Sequence, residues 1–147
     1  MMEHVILSIV GTQSNGPTQD SVEMMTEATF EQVGDITDIR YLEPDENGFE
    51  ECQTHICAQG ESCVTITRNG KYTSQLILEK GQRHLNHYDM GFGQIVMGVS
   101  TSRIENTLSP GGGALTVQYT LEMNHSLVSN NRFVLKIMEV KHDNQES

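Results

Sequence analysis

The chain of 147 residues has about the length of one domain, and its 36% hydrophobic and 20% charged residues are typical of a globular protein. Nine Lys and Arg residues stand against 20 Asp and Glu residues, and the resulting formal charge of −11 argues strongly against a nucleic-acid binder. The longest aliphatic run covers residues 5–7 and no secretory signal is visible, so we expect no membrane span and a cytoplasmic location.

Apolar residues recur at every second position along most of the chain, which predicts β-strands separated by turns. The predicted strands span residues 4–13, 20–33, 36–43, 49–58, 62–68, 71–80, 83–90, 94–108, 114–124 and 132–140. Gly, Pro, Asn and Asp occupy the breaks, and Asn69-Gly70 is the strongest hairpin signal. We expect little helix, apart from a possible turn within residues 124–131.

About ten short strands in series, without a connection long enough for parallel pairing, predict an all-β, antiparallel, up-and-down sheet. Closing such a sheet removes its two exposed edges, so we expect a single antiparallel β-barrel of about 8–10 strands. A two-sheet sandwich is the alternative. The domain spans residues 1–147 in this interpretation, with its core at about 5–140 and a flexible polar tail at 141–147. Gly98, inside a predicted strand, suits a β-bulge or a corner where a barrel strand bends.

Acidic residues concentrate in the first part of the chain. Residues 1–61 hold 13 acidic residues and a single basic one, Arg40. If neighbouring strands in sequence are neighbours in space, one side of the molecule is strongly acidic. That side is either a solvated face that keeps the protein in solution, or a surface for a basic partner or for cations.

The three cysteines are expected to be reduced thiols. A three-residue loop at Gln59-Gly60-Glu61 would pair Cys57 with Cys63 across two strands on the outer face, with Cys52 on the inner face. The spacing of the three residues fits no common zinc motif, so we predict no metal site.

Register arithmetic brings four polar residues together. A two-residue loop at Asn69-Gly70 pairs Val64 with Gln75 and Ile66 with Thr73. A tight turn at Gly81-Gln82 then pairs Glu79 with His84 and Gln75 with Tyr88. The predicted ligand-binding cluster is therefore Gln75, Glu79, His84 and Tyr88, on the inner wall beside Val64 and Ile66.

A competing pattern opposes that arrangement, because Leu76 and Leu78 have the opposite parity and would themselves favour the core. If the leucines face inward, the four polar residues lie on the surface.

Enzyme signatures are sparse: there is no nucleophile elbow, no zinc-protease motif and no phosphate loop. Glu79 and His84 are weak catalytic candidates, since a carboxylate orients imidazole for general-base work, although such pairs are more often structural. No cofactor is predicted.

The 68–93 region resembles a known family. Its motifs are Arg68-Asn69-Gly70, Ser74-Gln75 and Gly81-x-x-His84-x-x-x-Tyr88-x-x-Gly91-x-Gly93, and they are similar to those of the YwiB-like family of bacterial proteins. The resemblance extends over residues 5–140. It implies a domain of unknown function with a calycin-like, lipocalin-type β-barrel in the bacterial cytoplasm, and calycin barrels commonly hold a small apolar molecule.

Three functional hypotheses follow. The first is a small-molecule-binding barrel whose interior combines the polar cluster with Val64, Ile66, Tyr119 and Leu121. The second is a protein-interaction module with a packed barrel and an acidic face. The third is an enzyme that uses Glu79 and His84. A monomer and a homodimer are both compatible with a closed barrel.

Overall fold

Ten strands build the fold in a computed structural model that describes residues 2–44, 51–70, 73–89, 94–123 and 126–141. Within these ranges the side chains of residues 43, 44, 51, 86–89, 94, 95 and 141 are not described. The strands are β1 (Met2–Asn15), β2 (Thr18–Val33), β3 (Ile36–Pro44), β4 (Glu51–Gln59), β5 (Cys63–Asn69), β6 (Thr73–Glu79), β7 (Arg83–Asp89), β8 (Gln94–Asn106), β9 (Ala114–Met123) and β10 (Ser126–Lys141).

Each strand pairs antiparallel with its neighbours in sequence, and β1 also pairs with β10, so the sheet closes into a barrel. The closing ladder runs from His4 opposite Lys141 to Ser14 opposite Asn130. The prediction of an all-β, antiparallel, up-and-down barrel is thus confirmed, and the sandwich alternative is wrong. The described residues contain no helix.

Alternation along the strands separates a buried inner face from an outer face. The core is the set of inner side chains that are almost completely buried: Val5, Leu7, Phe30, Ile39, Ile56, Ala58, Val64, Leu78, Val99, Ile104, Leu115, Val117 and Leu135. These residues come from nine of the ten strands, since β7 contributes none to this set. Burying apolar surface of this kind is the main favourable term in folding.

The strand boundaries depart from the prediction mainly at the end of the chain. β10 begins at Ser126 rather than at residue 132, so the helical turn expected within residues 124–131 is wrong for residues 126–131. The early start lets β10 pair with both β9 and β1 over most of its length. Most of the predicted flexible tail, residues 142–147, lies outside the described residues.

Gly98 has a different role from the one predicted. The register shift in β8 lies between Thr101 and Arg103, not at Gly98. A Cβ atom on Gly98 would meet the guanidinium of Arg83, whose Nε atom donates to Glu122 Oε1 at 2.8 Å. Glycine at this position therefore leaves room for an ion pair that crosses the outer surface.

No helix in the described part of the chain is long and apolar enough to cross a membrane.

A substitution at Gly113 tests the geometry of the connection between β8 and β9. Its φ of 105° lies in a region that other residues rarely adopt, and an added Cβ would collide with the backbone of Thr107. We expect Gly113→Ala to lower the free energy of unfolding by about 1–3 kcal/mol or more, as measured by urea denaturation.

Gly11→Ala is the matched control, because a Cβ at Gly11 meets no atom within 4 Å. This variant should be neutral or slightly stabilising, since alanine loses less conformational entropy than glycine in a strand. Equal effects of the two substitutions would contradict the described geometry of the connection between β8 and β9.

Candidate functional site

One end of the barrel holds a pocket of about 270 Å³. One wall is formed by β3 to β6 and the opposite wall by β1, β9 and β10. The lining side chains are Ile9, Tyr41, Ile56, Ile66, Arg68, Ser74, Leu76, Tyr119 and Phe133. A mostly apolar lining with a few polar groups is characteristic of sites for small molecules.

A row of polar residues crosses the β3–β7 wall at a single level. Tyr41 pairs with Thr54, Thr54 with Arg68, Arg68 with Ser74, and Ser74 with Tyr88. Residues that pair directly share a face, and Thr54 is fully buried, so this row lies on the inner face. We call these five positions the polar row; the side chain of Tyr88 lies outside the described part.

The next level towards the barrel's centre is entirely apolar. Ile39 pairs with Ile56, Ile56 with Ile66, and Ile66 with Leu76. Ile39 and Ile56 are buried, and Ile66 and Leu76 are partly buried against the core. The wall therefore changes from apolar to polar over two residues of each strand, near the turn that joins β5 to β6.

Arg68 differs from other members of the polar row in its exposure to solvent. Tyr41 and Thr54 are buried, whereas Arg68 is exposed. Arg68 is the one basic residue among the nine described side chains that line the pocket. A guanidinium group at the rim meets both the pocket and the solvent.

The predicted cluster of Gln75, Glu79, His84 and Tyr88 is not assembled on the inner wall. Val64 pairs with Leu78 and Ile66 with Leu76, because the ladder begins at Asn69 opposite Thr73 and three residues, rather than two, lie between these partners. The predicted pairs of Val64 with Gln75 and of Ile66 with Thr73 are therefore wrong. The physical reason is burial: each leucine gains about 1.5–3 kcal/mol inside, whereas Gln75 and Glu79 would lose hydration.

The four predicted residues consequently separate. Gln75 pairs with Thr67 and is exposed, and Glu79 pairs with the outward residue Cys63. His84 pairs with Val99, which is completely buried, so His84 belongs to the inner face. Tyr88 pairs with Ser74 at the level of the polar row.

Glu79 and His84 nevertheless touch each other, with 2.7 Å between Oε1 and Nε2. They start from opposite faces of the sheet and meet where β6 and β7 separate. Ser74 and Tyr88 form the one ladder pair between these strands in the described residues, and the turn after β6 binds β8 instead, through Gly81 N–H and the Thr101 carbonyl at 2.8 Å. Since both side chains are substantially exposed, the pair is worth little stability.

A second polar cluster lies on the outer face of β3 and β4. His55 Nε2 lies 2.7 Å from Asp38 Oδ1, and Asp38 pairs in the sheet with Cys57. Burial raises the pKa of the Cys57 thiol, and the charge of Asp38 and a hydrogen bond from the thiol to Asp38 raise it further. Cys63 adds to this rise, and Arg40 opposes it.

The cysteine register is shifted by two residues from the prediction. The turn after β4 uses residues 60–62, so Cys57 pairs with Thr65 and Cys63 pairs with Gln59. The predicted direct pair of Cys57 with Cys63 is wrong, although both residues lie on the same face. All three cysteines are free thiols. Among the described residues, no three His, Cys, Asp or Glu side chains form a group that could hold a metal ion.

A slot of about 650 Å³ opens where β2 and β3 diverge. The ladder between these strands ends at Thr29 opposite Arg40. Within the described residues, β2 before Thr29 pairs only with β1, and β3 beyond Arg40 pairs only with β4. Tyr41 lines both this slot and the pocket, so the two spaces adjoin.

Sequence analysis identified Tyr119 and Ile66 as interior residues but missed Tyr41, Arg68 and Ser74 as a group. The available signal was the alternation itself, because Arg68 has the same parity as Val64 and Ile66. Arg68 and Ser74 also stand at the start of the motifs that carried the family resemblance.

Comparisons with known proteins agree with this resemblance. Residues 7–135 match a family described as a domain of unknown function, DUF1934. The crystal structure of the ywiB protein from Bacillus subtilis is similar, with a TM-score of 0.77, 18% sequence identity and 92% of each chain covered. A search of the curated proteins finds no match. At 18% identity, this structural similarity shows that the two proteins share a fold.

The Cys57 environment leads to a test of the outer cluster. Asp38→Asn removes the charge that raises the thiol's pKa, so the thiolate fraction increases at neutral pH. We expect iodoacetamide to alkylate Cys57 faster in this variant. The rate is measured by mass spectrometry of the peptide that contains Cys57.

Asp35→Asn in the turn between β2 and β3 makes the same change of net charge and serves as the control. Cys52 and Cys63 provide internal references in the same digest. An unchanged rate at Cys57 in the Asp38 variant would show that this carboxylate does not control the thiol.

Proposed function

The chain belongs to the DUF1934 family of domains of unknown function, and we propose that it binds a small, partly apolar molecule in the pocket at the end of the barrel. The observation that carries this proposal is the layered wall. Apolar side chains at Ile56, Ile66 and Leu76 form the floor, and the polar row lies above them. Such a wall offers an apolar surface and directional polar contacts to one ligand.

Space and access also support a ligand at this position. A volume of about 270 Å³ is close to the lower end of the range of about 300–1,000 Å³ that ligand sites occupy. The slot between β2 and β3 lies beside the pocket, and Tyr41 lines both spaces. A small ligand therefore fits, and a long lipid chain exceeds the pocket.

Of the four site residues predicted from the sequence, we retain Tyr88 in the proposed site, because it continues the polar row next to Ser74. Glu79 and His84 are assigned a structural role at the junction of β6 and β7, since neither lines the pocket. Gln75 is exposed on the outer face and is left outside the site.

Filling the pocket tests the proposal. Leu76→Trp places a larger side chain in the lining. We therefore expect this variant to lose the fluorescence increase that the unmodified protein produces with 1-aminonaphthalene, an uncharged and mostly apolar probe that is small enough for the pocket. Leu127→Trp adds the same side chain at an exposed position of β10 and should leave the increase unchanged.

Thermal unfolding of both variants separates loss of the pocket from loss of the fold. His84→Ala should also retain probe binding, because His84 does not line the pocket. Equal probe binding by a folded Leu76→Trp variant and the unmodified protein would overturn the proposed site.

A second candidate function is supported by the unpaired edge of β2. Sheet edges with exposed backbone N–H and C=O groups accept an added strand. Within the described structure, β2 has such an edge from Thr18 to Ala28, and its residues 25–28 line the slot. In this function the chain is an interaction module that receives an extended segment of another protein.

Charge indicates the chemistry of that segment. Residues 2–44 contain eight acidic residues and one basic residue. Glu23 and Glu27 are exposed on β2 on either side of Met25, which is 62% exposed. An extended segment with alternating basic and apolar residues is complementary to this surface.

A synthetic peptide of alternating lysine and valine residues tests the edge. We expect it to protect the β2 amides from hydrogen exchange. Glu23→Lys should weaken binding more than Glu139→Lys, which reverses an exposed charge on β10 where that strand pairs with β1. The same peptide with N-methylated backbone amides should lose its affinity, because it cannot complete the ladder. Equal affinity of the two peptides would exclude strand addition.

A further inference from the structure

We infer that the ligand of the barrel pocket is a singly charged anion with a compact apolar body, held by Arg68 at the rim. This inference rests on the proposed binding function and adds the ligand's chemical class. It is carried by the juxtaposition of one cation, several hydroxyl-bearing residues and an apolar floor in a single pocket.

The registers of β4, β5 and β6 place these groups beside one another. Arg68 is flanked directly by Thr54 on β4 and Ser74 on β6. Below it on the same strand lies Ile66, which is flanked by Ile56 and Leu76. A ligand that extends along the inner face of β5 therefore passes from an apolar surface to the guanidinium.

The guanidinium selects the polar group of the ligand. Its planar set of five N–H donors matches the two oxygens of a carboxylate and carries a fixed positive charge. Arg68 also interacts within the protein, and one guanidinium has donors for both purposes. Tyr41 and Tyr119 bring two phenol groups to the same pocket.

Charge limits the anion to a single negative charge. The chain has a formal charge of −11, and Arg68 is the one cation among the described lining residues. A monocarboxylate brings one negative charge to this guanidinium, whereas a dianion would add a second charge to a protein that is already negatively charged. A monocarboxylate is thus the best match.

The body of the ligand is limited by volume. About 270 Å³ accommodates a medium-length alkyl chain or a single substituted ring rather than a long fatty acid. Octanoate has both features, and octanol is its uncharged counterpart of nearly the same shape. The two compounds therefore separate the contribution of the charge from that of the apolar body.

The test measures the affinity of both compounds by isothermal titration calorimetry. We expect octanoate to bind the unmodified protein more tightly than octanol. Arg68→Met keeps an unbranched apolar stem but removes the charge, and it should weaken octanoate binding by about 10- to 100-fold, as is usual when a charged hydrogen bond is lost. Octanol binding should remain unchanged in this variant.

Two further variants complete the design. Arg103→Met makes the same change of net charge at an exposed outer position, where the side chain of Arg103 forms an ion pair with Glu105. This variant should not change the affinity for either compound. Arg68→Lys should recover part of the octanoate affinity, because lysine restores the charge without the planar donor set.

The outcomes separate the inference from the function on which it rests. Equal affinity for octanoate and octanol, or an unaltered octanoate affinity in Arg68→Met, overturns the anionic ligand while leaving the pocket intact. If neither compound binds and Leu76→Trp leaves the fluorescence of 1-aminonaphthalene unchanged, the proposed function and the inference both fail.

Discussion

Pairing between β1 and β10 is the interaction on which the rest of the barrel depends. It joins the first strand to the last, so its contacts span the largest separation in sequence and cost the most chain entropy to close. A ten-strand sheet without it would expose two rows of backbone donors and acceptors. Closure satisfies these groups and also defines an inside, because one face of the strands then turns away from water.

Departures from this regular pairing coincide with the chemically distinctive parts of the molecule. β2 and β3 diverge beyond the Thr29–Arg40 pair, and a slot opens between an acidic edge and the barrel interior. β6 and β7 separate near their turn, and Glu79 and His84 meet there from opposite faces. The backbone is thus least completely paired where polar side chains and openings are found.

The amount that could be predicted from sequence differs between fold and site. Alternation and turn residues were sufficient for the all-β barrel, because period-two burial and the cost of open edges leave few other solutions. The site depended on loop lengths that composition does not determine. Asn69-Gly70 favours a two-residue turn, yet Asn69 pairs with Thr73, so the connection is one residue longer than expected. This single residue moves Gln75 outward and Leu76 inward.

The sequence by itself determined the strand pattern, the acidic first half of the chain and the inward parity of Arg68 with Val64 and Ile66. These properties are local, since they depend on the order of residues along one strand. Only the tertiary structure decided which residues stand beside Arg68. The polar row brings together residues from five strands through four separate registers, and each register is selected by burial of leucine and isoleucine side chains across the whole barrel.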